Sequence, residues 1–331
     1  MKRLPAMGLL CLATHVAHSE WFDQGPVFTV TEENDCIVRN DRHYTQGFKL
    51  SYLHTDNHAP GWLKKCAESI PTLGFSAHAV KIGTEVGQSI YTPEDLEATE
   101  VVLDDRPYAG WLYTGFILQR RGLTAAKNPT LESFQLDIGV VGPESLAEQV
   151  QAWAHHKTEP QGWNNQLDTE VGVALKYMRA WIFSPKRDGP RTFDFIPHAG
   201  FSLGNIDTSF RVGGMIRAGI NLPNDFGARA INSLATTEGG LSATHSGESF
   251  GCYFFGGVEG SVLAYNEFLD GTLFRESHSV TRELLVAEAT GGFALVWPRM
   301  EFGFAVLWRS FEFTKQSYPD VYASLFVKVK L

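Results

Sequence analysis

Along most of this chain apolar and polar residues alternate one for one, the period of a strand whose two faces meet different environments. Tyr44, Phe48, Leu50 and Tyr52 alternate with Thr45, Gly47, Lys49 and Ser51, and Val80, Ile82, Thr84, Val86 and Ile90 with Lys81, Gly83, Glu85, Gly87 and Ser89. The pattern returns as Val171, Val173 and Leu175 against Gly172, Ala174 and Lys176, and as Phe302, Phe304, Val306 and Trp308 against Gly303, Ala305 and Arg309. It closes with Val327, Val329 and Leu331 opposing Lys328 and Lys330. Such segments fall near 26–36, 43–54, 76–91, 107–120, 129–141, 167–183, 190–203, 208–221, 248–265, 280–295, 299–313 and 318–331. Many are far longer than the ~5–6 residues of an ordinary strand, and their apolar faces carry Tyr, Trp and Phe. A secreted β-sandwich also alternates, but its polar face looks to water and is rich in Thr, Ser and Lys. Here that face is glycine with isolated charges, which suits the crowded interior of a narrow barrel. The expected fold is therefore all-β: a transmembrane antiparallel β-barrel of about 12 strands. An even strand count returns both termini to the periplasmic side and gathers 32–42, 92–106 and 142–166 on the outer rim.

One stretch leaves this period. After Val141, Gly142 and Pro143 make a turn with a helix-starting proline, and Glu144 and Glu148 sit at the positive end of the helix dipole. At 100° per residue Leu146, Val150 and Trp153 form one stripe, and Glu148, Gln151 and His155 the opposite one. The prediction is a short α-helix in an extracellular loop, with one side packed on protein or lipid and a carboxylate, an amide and an imidazole in a column on the other.

The N-terminus adds compartment. Lys2 and Arg3 precede a short apolar run, and Ala17-His18-Ser19 has small residues where a signal peptidase reads, so 1–19 is expected to be a signal peptide and 20–331 the barrel. No stretch has the ~20 uncharged apolar residues of a spanning helix. After removal of Cys11, the spacing of Cys36, Cys66 and Cys252 suits neither a disulfide framework nor a metal site. Composition is that of a folded protein with 44% hydrophobic residues, and a formal charge of −9 excludes a general nucleic-acid binder, which needs a basic surface.

Several motifs, taken in order, carry a resemblance: Asn34-Asp35; Asp41-Arg42-His43-Tyr44-Thr45-Gln46-Gly47; Ile90-Tyr91-Thr92-Pro93; Asp105-Arg106-Pro107-Tyr108-Ala109-Gly110-Trp111; and Asp137 to Pro143 continuing through Gln151 and His155. The chain resembles the lipid A 3′-O-deacylase family of Gram-negative outer membranes over nearly its whole mature length, including the turn from Leu222 to Gly227. The resemblance implies a monomeric twelve-stranded barrel in the outer membrane, surrounded by outer-membrane lipids, with its site near the outer leaflet between wall and loop helix. It implies calcium-dependent hydrolysis of the 3′-linked acyl ester of lipopolysaccharide, and it maps the active-site pattern onto Asn34, Asp35, Thr45, Gln151 and His155. Glu159 matches a further glutamate once a gap is allowed, and joins Asp35 and Asn34 as an expected Ca²⁺ ligand. The chain departs from the family where a loop lysine is expected: Glu94, Asp95, Glu97 and Glu100 stand there, which leaves Arg106 or Lys157 to meet a lipid phosphate. The chain also ends in Leu331 rather than an aromatic residue.

Residue types alone argue for a water nucleophile. The two G-x-S-x-G matches, around Ser202 and Ser249, fall in predicted strand segments rather than at a strand-to-helix elbow, and Ser145 lies ten residues, about three helical turns, before His155. In one scheme neutral His155 takes a proton from water while Ca²⁺, a hard cation, holds the oxyanion; in the other, Ca²⁺-bound water attacks and His155 acts as acid. Asp105-Arg106 reads as a salt-bridged rim rather than as catalytic. Two other classes stay open: an outer-membrane phospholipase or acyltransferase, and a non-enzymatic barrel or narrow channel.

Overall fold

The computed structural model describes residues 25–38, 42–154, 160–185, 190–227, 230–231 and 250–331. Twelve antiparallel strands close into one barrel, each beside its sequence neighbours and β1 beside β12. They are β1 (Val27–Asn34), β2 (His43–Leu53), β3 (Phe75–Thr92), β4 (Ala109–Thr124), β5 (Pro129–Val141), β6 (Glu170–Trp181), β7 (Phe193–Gly204), β8 (Asp207–Ile220), β9 (Gly251–Asn266), β10 (Leu285–Val296), β11 (Met300–Arg309) and β12 (Asp320–Lys330). Three α-helices lie in connections: α1 (Gly61–Ser69), α2 (Ala147–Ala154) and α3 (Glu267–Asp270). No helix among the described residues is long and apolar enough to cross a membrane; the strands do so. The expected signal segment lies outside the described residues.

The alternation becomes a radial division. Val171, Val173, Leu175, Phe210, Val212 and Phe254 point outward and are exposed, whereas Gly172, Ala174 and Lys176 face in. Inside, the charges are paired: Arg217 contacts Asp194 at 2.9 Å and Asp225 at 2.5 Å, and Lys328 contacts Asp225 at 3.2 Å and Glu301 at 3.4 Å. Asp225 arrives from the β8–β9 connection, where Leu222, Asp225, Phe226 and Ile231 are buried, and the Ile231 N–H donates to Glu33 Oε1 at 3.0 Å. A segment expected to be a turn thus enters the lumen, where Asp225 and Ile231 meet inward-facing charges of the strands. The small internal cavities beside His198 and beside Arg211 are about 50 and 60 Å³, a few waters each.

Candidate active site

At the end of the barrel opposite the termini, the ladder between β2 and β3 shifts register between Tyr44 and Gln46. A bulge inserts one residue and re-aims its side chain. Strict alternation would put Thr45 on the inner face with Gly47 and Lys49; the bulge turns it to the outer wall, where its Oγ1 lies 2.8 Å from Thr92 Oγ1 and is buried. Tyr44 points inward and donates to Glu33 Oε2 at 2.9 Å. Asn34 ends β1 opposite Gln46, half-buried, and its Oδ1 accepts from the Cys36 N–H at 2.8 Å, an Asx turn. Asp35 is buried; its Oδ2 accepts from the Arg42 N–H at 2.7 Å, and its own N–H reaches Thr45 O at 3.4 Å. The structure thus brings Asn34, Asp35 and Thr45 together as the motifs predict.

The 142–169 connection folds back onto the outer wall beside them. Gln88 Nε2 donates to Ser145 O at 2.6 Å and the Gly142 N–H to Gly110 O at 3.2 Å. Ile90, Leu96, Tyr108, Ala147 and Trp163, with Val150, form the apolar seam underneath. The helix starts later than the proline suggests: Pro143–Ser145 is a single 3₁₀ turn, and Leu146, at φ 60°, separates it from α2. α2 buries Ala147 and, in part, Val150 as a helix on a water-soluble protein would, but two features depart from that pattern. Gln151 is buried, while Leu146 and Trp153 are 51% and 78% exposed. Outside a barrel wall the solvent is hydrocarbon or its interface, so apolar side chains turn out and the amide turns in. Glu148 is exposed, so the expected column of Glu148 with Gln151 does not form.

Gln151 Oε1 accepts from buried Trp163 Nε1 at 2.8 Å. Its Nε2 is buried without a hydrogen-bond partner among the described residues. An orphaned buried amide donor is costly, on the order of 1–3 kcal/mol, and marks a place where a further group is received. His155 and Glu159, the other site residues expected on this loop, lie outside the described residues, as does Lys157.

Arg106 does not meet lipid. It is buried at the lumen mouth, its Nη1 3.2 Å from Glu312 Oε2 and its guanidinium 4.6 Å over the Tyr91 ring. The expectation of a structural rim holds: Asp105 Oδ1 lies 3.4 Å from His43 Nε2, and His43 Nδ1 is 2.7 Å from Asp320 Oδ1. Burial pushes the Asp105 carboxyl up, but hydrogen bonds from His43 and from the Glu94 and Arg106 N–H groups hold it below the usual range. The acidic loop carrying Glu94 and Asp104 is partly neutralised by Arg42, 3.1 Å from Glu94, and by the Lys315–Asp104 pair. Sequence reasoning missed Thr92 and Trp163 as partners of site residues, though both stand inside quoted motifs or beside them. Among the described residues Cys36, Cys66 and Cys252 form no disulfide.

A family model described as "Outer membrane protein LpxR" matches residues 6–331. Among solved structures, LpxR from Salmonella typhimurium is similar with a TM-score of 0.70 at 21% identity, over 92% of this chain and 100% of that one. The KdgM porin (TM-score 0.39, 6% identity, 92% and 99% covered) and the CymD monoaromatic hydrocarbon channel (0.39, 10%, 100% and 95%) are more distant. No curated protein sequence matches significantly.

Proposed function

This chain belongs to the LpxR family of outer membrane proteins, and on that premise we propose that it is a lipid A 3′-O-deacylase, hydrolysing the 3′-linked acyl ester of lipopolysaccharide at the outer wall of its barrel. The observation that carries the reading is the buried, half-satisfied amide of Gln151, held by Trp163 in the loop seated on β3 and β4, at the same end of the barrel as the Thr45–Thr92 hydroxyl pair and Asp35. A polar site on the bilayer side of a filled barrel suits a substrate whose ester lies in the bilayer.

In this reading water attacks the ester carbonyl carbon. His155, four residues after Gln151 in sequence, takes the proton of the water and returns it to the sugar oxygen as the acyl carbon–oxygen bond breaks. Gln151 Nε2, unpartnered among the described residues, would orient the imidazole or the ester, and Trp163 fixes which end of the amide points inward. Thr45 and Thr92 present a hydroxyl pair at the wall. Asp35 and Asn34, with Glu159, are the residues that would hold Ca²⁺. The donors that the described residues offer are a buried carboxylate, an amide oxygen and two hydroxyls, the oxygen chemistry a hard cation requires. Ca²⁺, when bound, supplies positive charge against the negative charge that develops on the carbonyl oxygen.

The test is mass spectrometry of lipid A from cells expressing the wild type or His155→Ala, with isolated membranes assayed in Ca²⁺ and in chelator. Loss of one acyloxyacyl unit that needs both His155 and Ca²⁺ is expected. Unaltered lipid A from a folded outer-membrane protein, or fatty acid released from phospholipid instead, refutes the reading.

A further inference from the structure

The opposite end of the barrel carries a helix that the proposed reaction does not use. α1 belongs to the β2–β3 connection, at the end where both termini lie and hence on the periplasmic side. It does not hang free below the barrel. Ala67, with Leu63, packs on the outward-facing Val80, Ile82, Leu118 and Phe134, so the helix lies flat on the lipid-facing wall.

Its orientation is fixed by arginines that would otherwise be charges on that wall. Buried Arg120 donates through Nη1 to the carbonyls of Ala67 at 2.7 Å and Ile70 at 2.5 Å, and through Nη2 to Pro71 O at 3.3 Å. Arg179 donates to Leu73 O at 2.7 Å and Thr72 O at 3.0 Å, and both arginines pair with Glu132. These bonds satisfy the last carbonyls of the helix and stop it from rolling.

The face so presented is amphipathic. Trp62 is 68% and Leu73 76% exposed. Lys65 points directly away from the wall and Lys64 flanks it, and neither has a carboxylate within salt-bridge distance among the described residues. The same level of the barrel is ringed by aromatic side chains: Phe250 and Trp297, 5.6 Å apart, and the ladder Tyr52–His54–His58 with spacings of 4.8 and 5.1 Å. Such girdles mark the headgroup region. A helix lying in that plane with a tryptophan and unpaired lysines has the chemistry of an interfacial, anion-seeking element.

We propose that α1 is a phospholipid-binding element, in which Trp62, Lys64 and Lys65 dock an anionic headgroup of the periplasmic leaflet. The lipid on that side would be selected by charge, independently of the reaction at the outer rim.

The experiment uses the full mature chain reconstituted in vesicles of mixed phosphatidylglycerol and phosphatidylcholine, in which either insertion direction exposes α1 to the same lipids. Trp62 fluorescence, taken as wild type minus Trp62→Phe, is quenched by phosphatidylglycerol brominated on its acyl chains or, at the same mole fraction, by brominated phosphatidylcholine. Each lysine near an anionic surface gives roughly a fivefold preference, so with two lysines quenching by the anionic lipid should correspond to about 25-fold local enrichment at low salt. The enrichment should vanish in Lys64→Gln/Lys65→Gln, whose folding is checked by heat-modifiable migration. It should also vanish for the wild type in about 1 M salt, where screening shortens to about 3 Å. Equal quenching by both lipids, or none by either, overturns the proposal.

Discussion

Replacing Gly110 by alanine separates the contribution of the loop helix from that of the barrel. Gly110 lies at the outer end of β4, and a Cβ built on it would meet the Ala147 Cβ and the Ser145 Oγ at 2.2 Å each. Non-bonded carbons rest about 3.5–4.0 Å apart, so the start of α2 must retreat by roughly 1.5 Å. Ala147 has no flexible side chain to yield, and the Ser145 hydroxyl is tied to Gly142 O at 2.6 Å. The retreat carries Gln151, one turn further along, away from the wall that holds Thr45 and Asp35. Misplacement by about 1 Å in a catalytic arrangement costs on the order of 100-fold, equivalent to about 2.7 kcal/mol of barrier. The strand itself loses nothing, because alanine suits a strand interior better than glycine does. Gly110→Ala should therefore release the 3′ acyl chain from purified lipopolysaccharide about 100-fold more slowly while keeping the heat-modifiable migration and melting temperature of the wild type. A rate within about threefold of the wild type, from a folded barrel, would show that the seating of α2 does not control the chemistry.

Two further outcomes follow from the geometry. Trp163→Phe keeps the ring in the seam but removes the Nε1 donor to Gln151 Oε1; the amide then loses its fixed orientation, and turnover in the same assay should fall about tenfold, the equivalent of one net buried hydrogen bond, whereas an unchanged rate would remove Trp163 from the site. Glu267, in α3 outside the membrane-spanning strands, is fully buried with both carboxylate oxygens unpartnered among the described residues, and burial first, then the nearby Glu170 charge, pushes it up to about 8. The folded protein thus keeps a proton that the unfolded chain releases near 4.5, so stability is intact below that pH, declines as pH climbs toward about 8 and is level above it. Glu267→Gln, neutral throughout, should melt on the order of 5 °C above the wild type at alkaline pH and converge with it in acid; parallel melting curves from acid to alkali would refute the assignment.

The barrel was legible because its two solvents differ. Val171, Val173 and Leu175 alternate with Gly172, Ala174 and Lys176 as lipid alternates with a crowded lumen, and all twelve segments appear as strands, with ends that move by a few residues, such as β4 running on to Thr124. Where the period breaks locally, alternation misleads. Nothing at Tyr44-Thr45-Gln46 announces a bulge, so Thr45 reads as an inner residue although the register shift turns it outward. The amphipathic reading of α2 grouped its residues wrongly: Leu146 and Trp153 face away while Val150 joins the buried seam, and Gln151 faces in while Glu148 is exposed, because what lies outside a barrel wall does not demand an apolar-in, polar-out division. Arg106 reads in sequence as part of a salt-bridged rim or as a contact for a lipid phosphate, and its actual partner is hidden because Glu312 is 206 residues distant in sequence. The segment containing Asp225 has no period at all, and only the charges waiting on β8 and β12 show that it belongs inside.

The filled lumen also bears on the site outside it. Glu33 and Asn34 are neighbours on β1 with opposite directions: Asn34 faces the outer wall, while Glu33 receives Tyr44 and the Ile231 N–H within the lumen. At Gly47 a Cβ would strike the Tyr44 hydroxyl at 1.9 Å and approach Ile231 Cδ1 to 3.1 Å, so the inner layer is packed directly against the backbone that forms the bulge. Thr45 is therefore held from both sides, by Thr92 on the wall and by Tyr44, Glu33 and Ile231 behind it. A hydroxyl on a bulge of an empty barrel could shift with the ladder; here the lumen segment acts as the rigid support that an arrangement accurate to about 0.5 Å requires. The described residues that pack the lumen and those that face the lipid are two sides of one structure, so the proposed site at Thr45 would draw its rigidity from the packing behind it.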